Sequence, residues 1–153
     1  MLLRCKKILN PSLAVLSLGF CLTAHALDFR TVLPSKAILY DAPSAEASRV
    51  YILSQGYPVE VIVNLGEWVK VRDQQGGLNW IESKNLVNKR TVLVTADKTE
   101  MKIAEDSNSA LVATVEKDVV LELLATTNKN GWIKVKHRDG VTGFVQASDV
   151  WGF

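Results

Sequence analysis

Cysteine is almost missing from this chain, and the two present, Cys5 and Cys21, both fall within the first 26 of 153 residues. Over the remaining 127 residues no disulfide can form, so stability there has to come from burial. Histidine is nearly as scarce: past residue 26 only His137 remains. That excludes a Cys–His nucleophile and any zinc site built from several His or Cys ligands. Helical periodicity is nearly absent, and so is a charge of one sign. The 18 basic residues, less Arg4, Lys6 and Lys7 at the start, leave 15 against 16 acidic ones, a net charge of −1 over residues 27–153. Such a balance argues against nucleic acid or an anionic membrane surface as the main partner.

The single long apolar run, Ile8 to Leu22, is explained by targeting. A basic start precedes it, and Ala24-His25-Ala26 supplies the small residues at −3 and −1 that a signal peptidase requires. Residues 1–26 are therefore expected to be a signal peptide cleaved after Ala26, which places the protein in the periplasm. The run is short for a membrane span and is interrupted by Asn10 and Pro11, so no stable membrane insertion is expected. Lipidation at Cys21 is the weaker alternative, because Phe20 is bulky where such sites take a small residue.

What is abundant is repetition. The stretch GEWVKVRDQQGGLNWIESKNL, residues 66–86, returns as GWIKVKHRDGVTGFVQASDV, residues 131–150. Trp68 precedes Trp80 by 12 residues, as Trp132 precedes Phe144. Upstream, Arg30 to Leu33 matches Arg90 to Leu93, Leu39 to Val50 matches Met101 to Val112, and Glu60 falls on Glu122. The second copy carries two extra residues before its Trp, in a loop, where a common fold tolerates them. Each copy is a series of short β-branched and aromatic runs: Val50 to Leu53, Val59 to Val63, Trp68 to Arg72 and Asn79 to Glu82, with their second-copy partners. Asp139-Gly140, and Gln75-Gly76 at the matching place, mark a tight hairpin in each copy. The expectation is an all-β chain of two small barrels in tandem, residues 27–87 and 90–153, touching across Val87 to Lys89 with a groove between them.

The pattern Gly-x-Trp-x-Lys-Val followed by Gly-x-x-Gly-aromatic-Val resembles the bacterial SH3-type repeat (SH3b) over essentially all of residues 27–153. The tandem form, with Pro58 to Ile62, Val71-Arg72-Asp73 and a closing Trp151-Gly152, is similar to a family of exported bacterial proteins. The resemblance implies non-enzymatic modules without cofactors, whose partners are cell-wall (peptidoglycan) fragments, peptides or periplasmic proteins. One departure stands out: the motif's second glycine is Gly143 in the second copy but Asn79 in the first. Asn tolerates left-handed backbone angles, so a left-handed turn there is expected to survive.

Strand alternation directs Val69 and Val71 to one face and Trp68, Lys70 and Arg72 to the other. The second copy repeats this with Trp132, Lys134 and Lys136, and Arg138 extends the row. A ring followed by cations suits a carboxylate-bearing ligand, by stacking and steering. The plainer reading, that each Trp covers an end of its barrel beside a solvated cationic face, carries more weight because a 60-residue barrel needs aromatic area. Other sites fare worse. His137, between Lys136 and Arg138, is expected to be a solvated strand residue, with Asp73 in its place in the first copy. Asp41, Glu60 and Glu67 have no spacing that fixes a hydrolytic pair. Tyr40 lacks the aromatic partners of a proline-motif groove and is expected to be a packing residue. Strand runs near five residues are too short for an outer-membrane barrel, so Trp151 and Phe153 are expected to pin the tail at the junction of the barrels.

Overall fold

The computed structural model describes residues 27–125 and 130–153; the expected signal peptide and Cys21 lie outside them. In the first unit the strands are β1 (Phe29–Val32), β2 (Lys36–Tyr40), β3 (Arg49–Ser54), β4 (Pro58–Asn64), β5 (Trp68–Arg72), β6 (Leu78–Glu82) and β7 (Leu86–Val87). The second unit runs β8 (Thr91–Val94), β9 (Lys98–Lys102), β10 (Leu111–Glu116), β11 (Val120–Leu123), β12 (Trp132–Lys136), β13 (Thr142–Gln146) and β14 (Val150–Trp151). One 3₁₀ turn precedes the last strand of each, Ser83–Asn85 and Ala147–Asp149. Sheet order is β3-β2-β6-β5-β4-β1-β7 in one and β10-β9-β13-β12-β11-β8-β14 in the other, the same topology shifted by seven strands. The chain is all-β, two small SH3-like barrels in tandem, as the repeat implied.

Period-2 burial explains each core. Val69 and Val71 on β5 are fully enclosed with Leu39, Val59 and Ile81, and Ile133 and Val135 on β12 with Met101, Leu121 and Val145. Each such side chain removes apolar surface worth about 1.5–3 kcal/mol from water. That burial stands in for the missing disulfides.

Two expectations about the turns are corrected. The β5–β6 and β12–β13 connections are five residues long, and only Gly76 (φ 87°) and Gly140 (φ 97°) take the left-handed conformation, so neither is the tight two-residue hairpin. Asn79 and Gly143 are not left-handed; both lie inside strands, opposite Val71 and Val135. Glycine is required at 143 for a different reason. A Cβ there would fall 2.5 Å from Met101 Cγ and 2.7 Å from the Lys102 carbonyl oxygen. In the first copy Asn79 instead donates from Nδ2 to the Tyr51 hydroxyl at 3.3 Å.

The barrels touch through equivalent residues. The hydroxyls of Thr31 and Thr91, matched in the repeat, lie 2.9 Å apart, as in the self-complementary contact of a two-fold dimer. The Thr31 hydroxyl also meets the Lys89 carbonyl and the Thr91 hydroxyl the Gly56 carbonyl at 2.7 Å; each hydroxyl has one proton, so the two threonines bond each other when one of them turns its proton from its carbonyl to the other hydroxyl. Trp151 then bridges the seam, edge-on to Phe29 at 5.1 Å and tilted against Tyr57 at 6.4 Å. Arg90 lies over the Phe29 ring at 5.5 Å and donates to the Gly152 carbonyl at 3.1 Å. Trp151 therefore pins the tail, whereas Phe153 stays exposed.

Candidate functional site

Strands β5 and β12 present the residues singled out from the sequence, and the two copies use them differently. On β5 Trp68, Lys70 and Arg72 share the outer face. Trp68 packs edge-on to Tyr40 at 5.2 Å, Lys70 sits 5.8 Å from the Trp80 ring, and Arg72 bonds Glu60 at 3.1 Å. Each of the three thus has an intramolecular partner. Tyr40 is buried, as a packing residue should be.

On β12 the row divides. Trp132 is only 8% exposed although it lies outside the barrel's core cluster, so the expected exposed aromatic of the second copy is corrected: strand alternation sets direction, but chain from elsewhere in the barrel covers the ring. It lines a shallow 220 Å³ depression with Lys98, Lys102 and Asp149. Lys134 repeats the first copy's arrangement, 5.8 Å from the Phe144 ring. Lys136 departs from it. Glu122, the counterpart of Glu60, pairs with Lys89 at 3.0 Å instead. Among the described residues Lys136 is left without an ion pair, and Arg138 likewise.

Both unpaired cations open onto a cleft of about 680 Å³ where the barrels meet. Gln55 and Gly56 supply the first barrel's side, while Lys89, Asp118, Val120, Glu122 and His137 join Lys136 and Arg138 on the second. The volume falls within the ordinary range of small-ligand sites. The six expected residues are therefore not one site: Lys136 alone lines the cleft. Gln55, Asp118 and Glu122 were missed because only the docking of the barrels brings them together. Lys89, next to the seam, carried a usable signal.

His137 is corrected as well. It follows β12 in the connecting loop, is half-buried, and holds Nδ1 2.9 Å from Asp139 Oδ1. Asp139 is pulled below the usual carboxylate range first by the Val141 N–H and then by His137. In the first copy Asp73 occupies this position and accepts the Gln75 and Gly77 N–H groups, each at 2.8 Å, together with the Tyr51 hydroxyl. Burial, and then the bond to Asp73, raise the Tyr51 pKa above its ordinary value. Glu60, weighed as a catalytic carboxylate, is buried and committed to Arg72. No group of three or more His, Cys, Asp or Glu able to hold a metal occurs among the described residues.

Among solved structures the chain is similar to NlpC2 of Trichomonas vaginalis (13% identity, TM-score 0.38, covering 84% of this chain and 49% of that one). It is also similar to NlpC1 of Trichomonas vaginalis (14% identity, TM-score 0.39, covering 94% and 52%). A third is an NlpC/P60 family protein from Bacillus cereus (18% identity, TM-score 0.36, covering 82% and 56%). The chain spans about half the length of these structures. No curated protein matches it. The model of the bacterial SH3 domain matches residues 34–88 and again residues 103–152. With the same seven-strand topology in each matched segment, the chain belongs to the bacterial SH3 domain family, in two consecutive copies.

Proposed function

We propose that this protein is an exported, non-catalytic binding module of the cell envelope, working in the periplasm without a cofactor, and that its inter-barrel cleft takes a carboxylate-bearing ligand. The ligand class is a peptidoglycan fragment, whose peptide stems carry carboxylates; an exported protein presenting acidic residues is the alternative partner. One observation carries the reading: Lys136 and Arg138 line a 680 Å³ cleft with no ion-pair partner among the described residues, while the equivalent Arg72 is neutralised by Glu60. A ligand carboxylate would supply the missing partner. Exposed charge pairs contribute only about 0.2–1 kcal/mol each, so the affinity should be modest and should fall with added salt.

The test is co-sedimentation of the protein with purified peptidoglycan, alongside capture from a periplasmic extract and an assay for released sugars or peptides. Sedimentation should weaken with salt and drop severalfold in a Lys136→Ala/Arg138→Ala variant, but persist in Lys134→Ala, whose cation lies over Phe144. Unchanged sedimentation of the double variant would remove the cleft from consideration. Released product would overturn the non-catalytic reading, and one acidic protein captured in place of peptidoglycan would select the alternative partner.

A further inference from the structure

The two copies differ sharply in side-chain volume at one end of the barrel. Tyr51 on β3 stands opposite Leu39, and its counterpart Ala113 on β10 stands opposite Met101. Tyr57 is likewise replaced by Val119. In the first barrel both tyrosines pack against the core. The Tyr51 hydroxyl donates to Asp73 and accepts from Asn79, while the Tyr57 hydroxyl accepts the Gln74 N–H at 3.3 Å. In the second barrel every one of these groups has changed: Ala113 for the ring, His137 for Asp73, Gly143 for Asn79.

The change leaves a slot of about 260 Å³, lined chiefly by Met101, Ala113, Val115, Val119, His137 and Val141. An apolar cavity of roughly 150 Å³ is enough to hold benzene. Thr114, Glu116 and Asp139 complete the rim, so the slot has an aliphatic floor with polar groups at its edge, and His137 stands among them. His137 is oriented by Asp139 through Nδ1, and its Nε2 has no hydrogen-bond partner among the described residues.

We propose that this slot is a binding site for a phenolic ring, taking the place that Tyr51 fills in the first barrel, with the ring against Met101, Ala113 and Val119 and the hydroxyl bonded to His137. The first barrel shows the intended filling: a phenol whose hydroxyl is met by the residue at this loop position. The ring comes from a free phenol or from a tyrosine of another chain. The slot shares His137 and Val119 with the cleft but uses none of its unpaired cations, so this inference stands apart from the proposed function.

The test is titration of the ¹⁵N-labelled protein with p-cresol, an uncharged mimic of the tyrosine side chain, followed by amide shifts. Saturable shifts are expected at Ala113, Val119 and Val141. Toluene should bind roughly fivefold more weakly, the worth of one net hydrogen bond, and a His137→Leu variant should abolish that preference. Ala113→Tyr should fill the slot and eliminate the shifts; Val141→Phe obstructs the same volume should that variant not fold. The peptide Gly-Tyr-Gly, compared with Gly-Ala-Gly, distinguishes the sources: shifts from the tyrosine peptide mark a chain-borne ring, and shifts from p-cresol alone mark a free phenol. Absence of saturable p-cresol shifts at these amides, undiminished binding in a folded blocking variant, or equal toluene affinity in the unaltered protein would overturn the proposal.

Discussion

Replacing Trp151 by Ala should uncouple the two barrels. The indole belongs to the second sheet through its pairing with Leu93, yet its ring partners, Phe29 and Tyr57, belong to the first unit. Full truncation of a buried Trp costs about 3–5 kcal/mol, and this half-buried one should forfeit about 2 kcal/mol. The edge-to-face contact with Phe29 at 5.1 Å adds about 1 kcal/mol. For a folded region of this size each kcal/mol moves the midpoint by about 4 °C, so a total of ~3 kcal/mol lowers Tm by roughly 12 °C. Differential scanning calorimetry gives a second readout: one transition should broaden or split as each barrel melts on its own. Phe153→Ala, which removes an exposed ring, should stay within about 0.5 kcal/mol of the parent. A Trp151→Ala shift below about 3 °C with a single sharp transition would refute the idea that this ring fastens the seam.

Gly143→Ala should cost about 1–3 kcal/mol in urea denaturation, because its Cβ meets the Lys102 carbonyl as well as the Met101 side chain and the backbone cannot yield cheaply. Tyr51→Phe should lose about 1 kcal/mol at neutral pH, since Asp73 retains its two backbone donors. That variant should also differ in its pH profile. The folded Tyr51 pKa lies above the ordinary 10.0, so the tyrosine's contribution is complete below pH 10 and is lost as pH rises beyond it, whereas phenylalanine has no proton to release. A parent protein whose alkaline stability loss is matched by the variant would disprove this assignment. For the seam, Thr31→Val and Thr91→Val in a double-mutant cycle should show a coupling of about 0.5–1.5 kcal/mol; additive costs would mean that the 2.9 Å contact carries no energy.

The barrel fold was legible because its determinants are local. Alternation in Trp68 to Arg72 and Trp132 to Lys136 placed the valines and Ile133 inside, and the repeat doubled the weight of each strand assignment. Where direction alone was insufficient, the inference failed. Trp132 points outward by alternation but is covered by chain distant in sequence. Gly143 was assigned to a turn although its role is the approach of β9, whose Met101 lies 42 positions earlier in the chain. The cleft was foreseeable as a groove but not in its residues, because Gln55 and Arg138 meet only after Thr31 and Thr91 have joined the seam.

Divergence between the copies has a physical direction. At the loop after β5 the first barrel satisfies itself: Arg72 is met by Glu60, Asp73 by Tyr51, and the ring space is occupied. At the loop after β12 every corresponding demand is open, because Glu122 turns to Lys89, Ala113 withdraws the ring, and His137 keeps one nitrogen free among the described residues. These differences at one loop, beside the seam, fit a division of labour in which the first barrel supplies stability and a wall of the cleft. The second barrel then holds the charge and the empty volume on which the proposed recognition depends.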